Sequence, residues 1–293
     1  MSSFIKIILR LLALLPLPVI HAIAYIFGWL FFLIPSRRRS TAITNIKMCL
    51  PELGTWQRWQ LIRRNLIETI KGALESSAMW MHSGKNALKL VRGTVNEDLL
   101  QHAYARGKGV ILAAPHLGMW EIIGLYCSSN YPMTCLYLPP PIAGLENIMV
   151  RGRGRLGAKL VPTDSKGVRV LLRALSNGEL TSILPDHDPM GGQGAFAPFF
   201  GIQTYTMTLL SKLARKTDAT VLFTWAERLS WGRGYRIHFH SADPAIMDED
   251  LAVSLAALNA GVEMCIRQQP DQYLWCYKRF RTRPEGEPKL YHR

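Results

Sequence analysis

The stretch GVILAAPHLGMWEIIG, Gly109 to Gly124, decides how the chain is read. Val110 to Ala114 is an uncharged apolar run, which reads as a buried strand. Pro115 ends it, since proline has no N–H for a strand ladder. His116 follows at once, and Gly118 permits a turn. From Met119 to Tyr126 the apolar pattern resumes as a helix. His116 and Glu121 therefore flank a strand-to-helix junction. Five steps along an α-helix carry a side chain about 140° past a full turn, so the two cannot share one face of a regular helix. They meet only if His116 sits in the turn and Glu121 in the first turns of the helix, where exposed N–H groups favour a carboxylate. The carboxylate would then fix the imidazole tautomer, and the imidazole would take a proton from a hydroxyl. The plainer alternative is a turn histidine beside an unrelated surface glutamate. An H-x-x-x-x-E string does not by itself separate the two.

Outward from this junction, strands alternate with helices. Met133 to Leu138, Lys159 to Val161, Leu180 to Leu184, Val221 to Ala226 and Tyr235 to His240 read as strands. Trp56 to Met81, Glu97 to Ala105, Leu145 to Arg155, Gly167 to Leu175, Thr204 to Lys216 and Asp248 to Gln268 read as helices. The alternation predicts an α/β body with a mixed, largely parallel sheet flanked by helices.

Leu11 to Pro35 contains no Asp, Glu, Lys or Arg. As one helix it would reach about 37 Å, more than the roughly 30 Å of a bilayer core. Pro16, Pro18 and His21 interrupt its uniformity, and no small-x-small cleavage site follows it. It reads as an uncleaved hydrophobic membrane-anchor helix, spanning or lying in the interface; a buried core helix is the alternative. Arg37, Arg38 and Arg39 put the rest of the chain on the cytoplasmic side. The expected division is an anchor over 1–36 and an α/β domain over 37–293.

Lys plus Arg exceed Asp plus Glu by 35 − 21 = 14, which suits anionic lipid, phosphorylated substrates or nucleic acid. The five cysteines make no C-x-x-C pair, so neither a zinc site nor a disulfide framework is indicated. Arg151, Arg153 and Arg155 alternate with glycines, with Lys159 beyond. Guanidinium groups grip phosphate or carboxylate in bidentate fashion; a solvated basic turn is the alternative. Nucleic-acid binding would call for interleaved aromatics, which this segment lacks.

Pro185-Asp186-His187-Asp188-Pro189 follows the Leu180 strand. In open α/β sheets ligands gather at the carboxyl ends of strands, and His116 and Asp186 both lie just past one. That coincidence points to one shared site. Asp186, His187 and Asp188 are also metal-ligand types. Adjacent residues do not all turn toward one ion, however, and no H-E-x-x-H is present, so no metal is expected. Phe196, Phe199 and Phe200 read as core, or as an apolar wall for a fatty chain. Lys278, Arg279, Arg281 and Arg283 read as a head-group site or a solvated basic end.

Together these pieces resemble the late acyltransferases of lipid A biosynthesis, the lauroyl/myristoyl enzymes of Gram-negative bacteria. The resemblance covers nearly the whole chain. It rests on the N-terminal anchor, His116 to Glu121 after an apolar strand, Gly154-Arg155 and PDHD at Pro185 to Asp188. APFFG at Ala197 to Gly201 and PDQYLWCYKRFRTRPEGEP at Pro270 to Pro288 complete it. It implies transfer of a fatty acyl group from acyl carrier protein to a hydroxyl of a phosphorylated glucosamine disaccharide lipid. The setting would be the cytoplasmic face of the inner membrane, with no cofactor. The family's catalytic set falls on His116, Glu121, Arg155 and Asp186. His116 would be the general base and Glu121 its orienting partner. Arg155 or amides near Gly118 would hold the oxyanion, and Asp186 would position Arg155 or the substrate. Arg151, Arg153, Lys159 and Asp188 are the expected substrate contacts. The family often has Tyr-Arg-Pro where this chain has Tyr137-Leu138-Pro139; Arg151 and Arg153 are the candidates to replace that arginine. The competing readings are acylation of a lysophospholipid or mannosylated inositol lipid, a metal-dependent phosphoesterase, and a non-enzymatic lipid-binding protein.

Overall fold

The computed structural model describes residues 2–140, 144–189 and 192–291. In chain order its elements begin with α1 (Ser2–Leu14), α2 (Leu17–Leu33), α3 (Arg37–Cys49), α4 (Thr55–Met81) and α5 (Gly84–Leu88). There follow β1 (Val91–Val95), α6 (Glu97–Ala105), β2 (Val110–Ala113), α7 (Glu121–Asn130) and β3 (Thr134–Tyr137). Next come α8 (Leu145–Gly154), β4 (Lys159–Pro162), α9 (Ser165–Ser176) and β5 (Leu180–Ile183). The rest is β6 (Gly194–Phe199), β7 (Ile202–Met207), α10 (Leu209–Thr217), β8 (Thr220–Arg228), β9 (Tyr235–Ser241) and α11 (Leu251–Gln268).

The main sheet runs β1-β9-β8-β2-β5, and only the β8–β9 pair is antiparallel. The parallel pair β3–β4 extends from it through a bridge between Met133 and Leu180. The expected mixed, largely parallel α/β architecture is thus present. β2 is central and buried at all four positions. Ile111 and Ala113 face one core with Leu171, Leu175 and Phe223, while Val110, Leu112 and Ala114 face the other with Ile122 and Phe239. A strand covered on both faces carries an unbroken apolar run, which is why Val110 to Ala114 was readable. Each large side chain there contributes about 1.5–3 kcal/mol by burial.

Two elements differ from expectation. The helix predicted from Thr204 begins only at Leu209, because Ile202–Met207 is a strand paired antiparallel with β6. Its burial alternates, with Thr204 and Thr206 turned inward and Gln203 exposed, the period of a strand. The N-terminal uncharged run is also not one helix. α1 ends at Leu14, and the axes of the two helices differ by 116° across the break. Pro16 causes this, since it removes an N–H and pushes the preceding residue away from helical conformation. Among the described residues no single helix is long and apolar enough to cross a membrane, although this bent pair qualifies when counted together.

One face of α2 packs on α4. A Cβ on Gly28 would lie 2.5 Å from Ile67 Cα, so glycine permits the close crossing. His21, also on that face, is buried and bonded to Glu75 of α4. The opposite face leaves Tyr25, Ile26, Phe27, Leu30 and Leu33 exposed.

Candidate active site at the ends of two parallel strands

The register of β2 on β5 brings the chemistry together. Val110 pairs with Leu180 and Ala113 with Ile183, and the pairing continues as the Ala114 amide donates to the Ile183 carbonyl. Three residues beyond each strand end lie His116 and Asp186. The His116 backbone amide donates to Asp186 Oδ2 at 2.9 Å, and its Nδ1 bonds Oδ1 at 2.9 Å. An ionised carboxylate only accepts, so Nδ1 carries the proton and Nε2 is left with a lone pair. Asp186 is 2% exposed. Burial works against its charge, but the His116 ring, His187 and the His116 amide together outweigh it and hold the carboxyl well below its ordinary range.

The turn after His116 is locked on every side. Gly118 has φ +62°, and a Cβ there would lie 1.9 Å from the Ala226 carbonyl oxygen of β8. Its amide donates to the Gln272 carbonyl at 3.1 Å and is therefore itself not free to hold an oxyanion. Its carbonyl accepts from Arg228 Nη2 at 3.3 Å. The Leu274 amide donates to the His116 carbonyl at 3.0 Å, and Tyr273 bridges Leu117. The C-terminal run quoted above is in this way stitched to the His116 turn. Asn65 of α4 and Asn45 of α3 hold that run through the carbonyls of Asp271, Tyr273, Trp275 and Tyr277. Arg228 itself is buried, paired with Glu75 at 2.7 Å and Glu68 at 2.8 Å.

Glu121 does not hold His116. It opens α7, and both its oxygens are taken by Arg153 of α8, at 2.8 Å through Nε and 2.5 Å through Nη2. Burial lowers the tendency of Arg153 to stay charged, and Glu121 more than restores it. Arg155 is directed elsewhere, donating to the Met79 carbonyl at 2.5 Å, and neither its geometry nor that of Asp186 pairs the two. Arg151 and Lys159 are exposed. Asp188 is buried and accepts from the Thr282 amide at 3.0 Å, so it anchors the C-terminal segment. Arg279 is buried against the Tyr205 carbonyl and Thr206, and Arg283 donates to the Gln203 carbonyl. Those two members of the C-terminal basic cluster are internal struts, neither a head-group site nor a solvated end. Phe199 is core, as expected.

His187, weighed from the sequence only as a metal-ligand type, stacks its ring on His116 at 3.8 Å and 4° and on Tyr277 at 3.8 Å and 13°. Burial, then the neighbouring His116, push its pKa down to about 3, so it is neutral. Trp120 meets the His116 ring edge-on at 5.0 Å. The only advance signal was its place in the PDHD string. Asp186, His187 and Asp188 point to three different partners, and among the described residues no His, Cys, Asp and Glu group is arranged to hold a metal ion. A cavity of about 180 Å³ opens between His116, Gly118 and Trp120 on one side and Thr69, Gly72 and Ser76 of α4 on the other.

Comparison with known proteins adds to this geometry. The family described as bacterial lipid A biosynthesis acyltransferase matches residues 1–282. A lipid A biosynthesis lauroyltransferase of Escherichia coli (strain K12) is 26% identical over 285 residues, covering 97% of this chain and 92% of the relative. A lipid A biosynthesis palmitoleoyltransferase of the same organism is 28% identical over 280 residues, covering 94% and 90%. A lipid A biosynthesis myristoyltransferase, again from that organism, is 22% identical over 261 residues, covering 88% and 79%.

Proposed function

The chain belongs to the bacterial lipid A biosynthesis acyltransferase family, and from that premise we propose that it moves a fatty acyl group from acyl carrier protein to a hydroxyl of a phosphorylated lipid A precursor. The observation that carries this is the double hold of Asp186 on His116 at adjoining strand ends, which leaves Nε2 as an available base. Nε2 takes the proton of the acceptor hydroxyl, a step worth about 10² to 10⁴ in rate. The oxygen attacks the thioester carbonyl, the C–S bond breaks, and the imidazolium returns its proton to the leaving thiolate. Asp186 supports the imidazolium between those two transfers. The amides of Trp120 and Glu121, without partners among the described residues, are the donors we assign to the oxyanion. Glu121 serves by fixing Arg153 rather than by orienting His116. A thioester is already activated, so no nucleophilic serine or cysteine and no cofactor is called for.

The same reading places the protein at a membrane, with 1–36 as its attachment and 37–293 as the cytoplasmic acyltransferase domain. Support comes from the exposed apolar face of α2 and the basic Arg37-Arg38-Arg39 run beside it. The bend at Pro16 favours attachment in the interface over a straight span.

The test is an acyl-transfer assay in detergent with purified protein, a panel of acyl carrier protein thioesters and an under-acylated lipid A precursor, read by mass spectrometry. One added acyl mass is expected, lost in His116→Ala and unaffected by chelator. No added mass, with substrates shown competent by a control enzyme, would overturn the assignment.

A further inference from the structure

Two arginines that the sequence offered for gripping a phosphate are used inside the fold. Arg153 is spent on Glu121, and Arg155 is spent on the Met79 carbonyl. Arg151 and Lys159, the other basic residues of that segment, are exposed but do not line the cavity in front of His116. Besides the His116 turn and α4, that cavity is lined by Arg38. Arg38 is exposed, and the one carboxylate lining the same cavity, Glu68, is already paired with Lys71 at 2.5 Å and Arg228 at 2.8 Å. The neighbouring Arg39 is occupied too, donating to the Phe32 carbonyl at 2.6 Å. Arg38 is thus a cation lining the His116 cavity with no acid paired to it among the described residues.

We propose that Arg38 holds a phosphate group of the glycolipid acceptor while His116 acts on that acceptor's hydroxyl. A guanidinium fork matches two phosphate oxygens in geometry and charge. The acyl donor also carries a phosphate, on the arm of its carrier protein, so the same chemistry has two sources. Position favours the acceptor. Arg38 follows, by four residues in the chain, the exposed Ile34 at the end of α2, whose Leu30 and Leu33 are also exposed. A lipid could lay its chains along that apolar face with its head group at Arg38, whereas a soluble carrier protein has no use for that face.

This inference rests on the acyl-transfer reading. In neutral detergent micelles, Arg38→Ala and Arg38→Lys are compared with wild type on the phosphorylated acceptor and on the same acceptor after phosphatase treatment. KM is taken separately for donor and acceptor. Arg38→Ala is expected to raise acceptor KM about 10- to 100-fold on the phosphorylated form and less than threefold on the dephosphorylated one, as expected for loss of a charged hydrogen-bonded contact. Arg38→Lys should recover part of the loss, because it restores the charge without the fork. An equal loss on both acceptors, or a rise confined to donor KM, overturns the inference. Absence of transfer by wild type would instead overturn the acyl-transfer reading itself.

Discussion

The carboxylate of Asp186 spans the backbone amide and the ring of His116, 2.9 Å from each. It sets both the place of the residue and the tautomer of its side chain. Asp186→Asn retains the shape but brings an NH₂ group against one of two donors, and removes the charge that stabilises an imidazolium. kcat is expected to fall about 10²- to 10⁴-fold with KM nearly unchanged, following the behaviour of other histidine–carboxylate pairs. Steady-state kinetics check it; a loss seen only in KM would argue that Asp186 contacts substrate.

Glu121 and Arg153 form a second pair, with the Glu121 side chain 5% exposed and that of Arg153 29%. Removing Arg153 leaves the buried Glu121 carboxylate alone, removing Glu121 leaves the partly buried Arg153 guanidinium alone, and removing both leaves neither. Glu121→Ala and Arg153→Ala should each destabilise by about 2–4 kcal/mol, and the double variant by clearly less than their sum. Denaturant unfolding of the four proteins completes the cycle. Additive losses would mean that Glu121 works on something other than Arg153.

The sequence made some of this arrangement legible. β2 and β5 are short strands closed by Pro115 and Leu184-Pro185, so their ends, and the placing of His116 and Asp186 in one site past them, could be read from the sequence; that Asp186, and not Glu121, bonds His116 could not. What Glu121 binds did not follow. Its spacing from His116 allowed contact, but Arg153 lies 32 residues further on and wins through tertiary placement. Ile202–Met207 was lost to the apolar pattern of the helix behind it, although its inward threonines alternate as a strand should. Arg279 and Arg283 looked like surface charge because nothing local foretells a carbonyl acceptor some 74 to 80 residues away.

His187 offers a test by pH. Its ring lies between His116 and Tyr277, near Asp186 and Arg279, and burial first, then His116, hold its pKa at about 3. The unfolded chain has an ordinary histidine at about 6.5. Between those values the unfolded state binds the extra proton, so stability falls as pH is lowered, by up to about 1.4 kcal/mol per pH unit. His187→Phe keeps a ring in the stack and cannot titrate. Urea unfolding from pH 7 to 4 should show wild type losing stability relative to the variant as pH drops below about 6. Parallel pH profiles would show that His187 is not kept neutral by the fold.

Glu75 is the centre of the buried charge network that joins α2 to the turn after His116. It is fully buried, bonded to His21 at 2.5 Å and to Arg228 at 2.7 Å, and Arg228 reaches the Gly118 carbonyl. Burial raises the Glu75 carboxyl, but Arg228 and then His21 more than reverse this, so it stays ionised. Glu75→Ala would strand Arg228 with Glu68 as its one remaining acid and leave His21 without its acceptor. Breaking a buried pair in this way costs about 3–5 kcal/mol, or roughly 10 °C of melting temperature in a domain of this size. His21→Leu removes a single bond and leaves the Glu75–Arg228 pair whole, so it should cost only about 1–2 kcal/mol. Glu75→Ala should also lower kcat, because the Gly118 carbonyl loses the anchoring of Arg228, while His21→Leu should leave the turn held. Melting curves and transfer rates on both variants separate the two roles. Equal losses in the two would place the energy in docking of α2 on α4, and not in the ion pair that holds the turn.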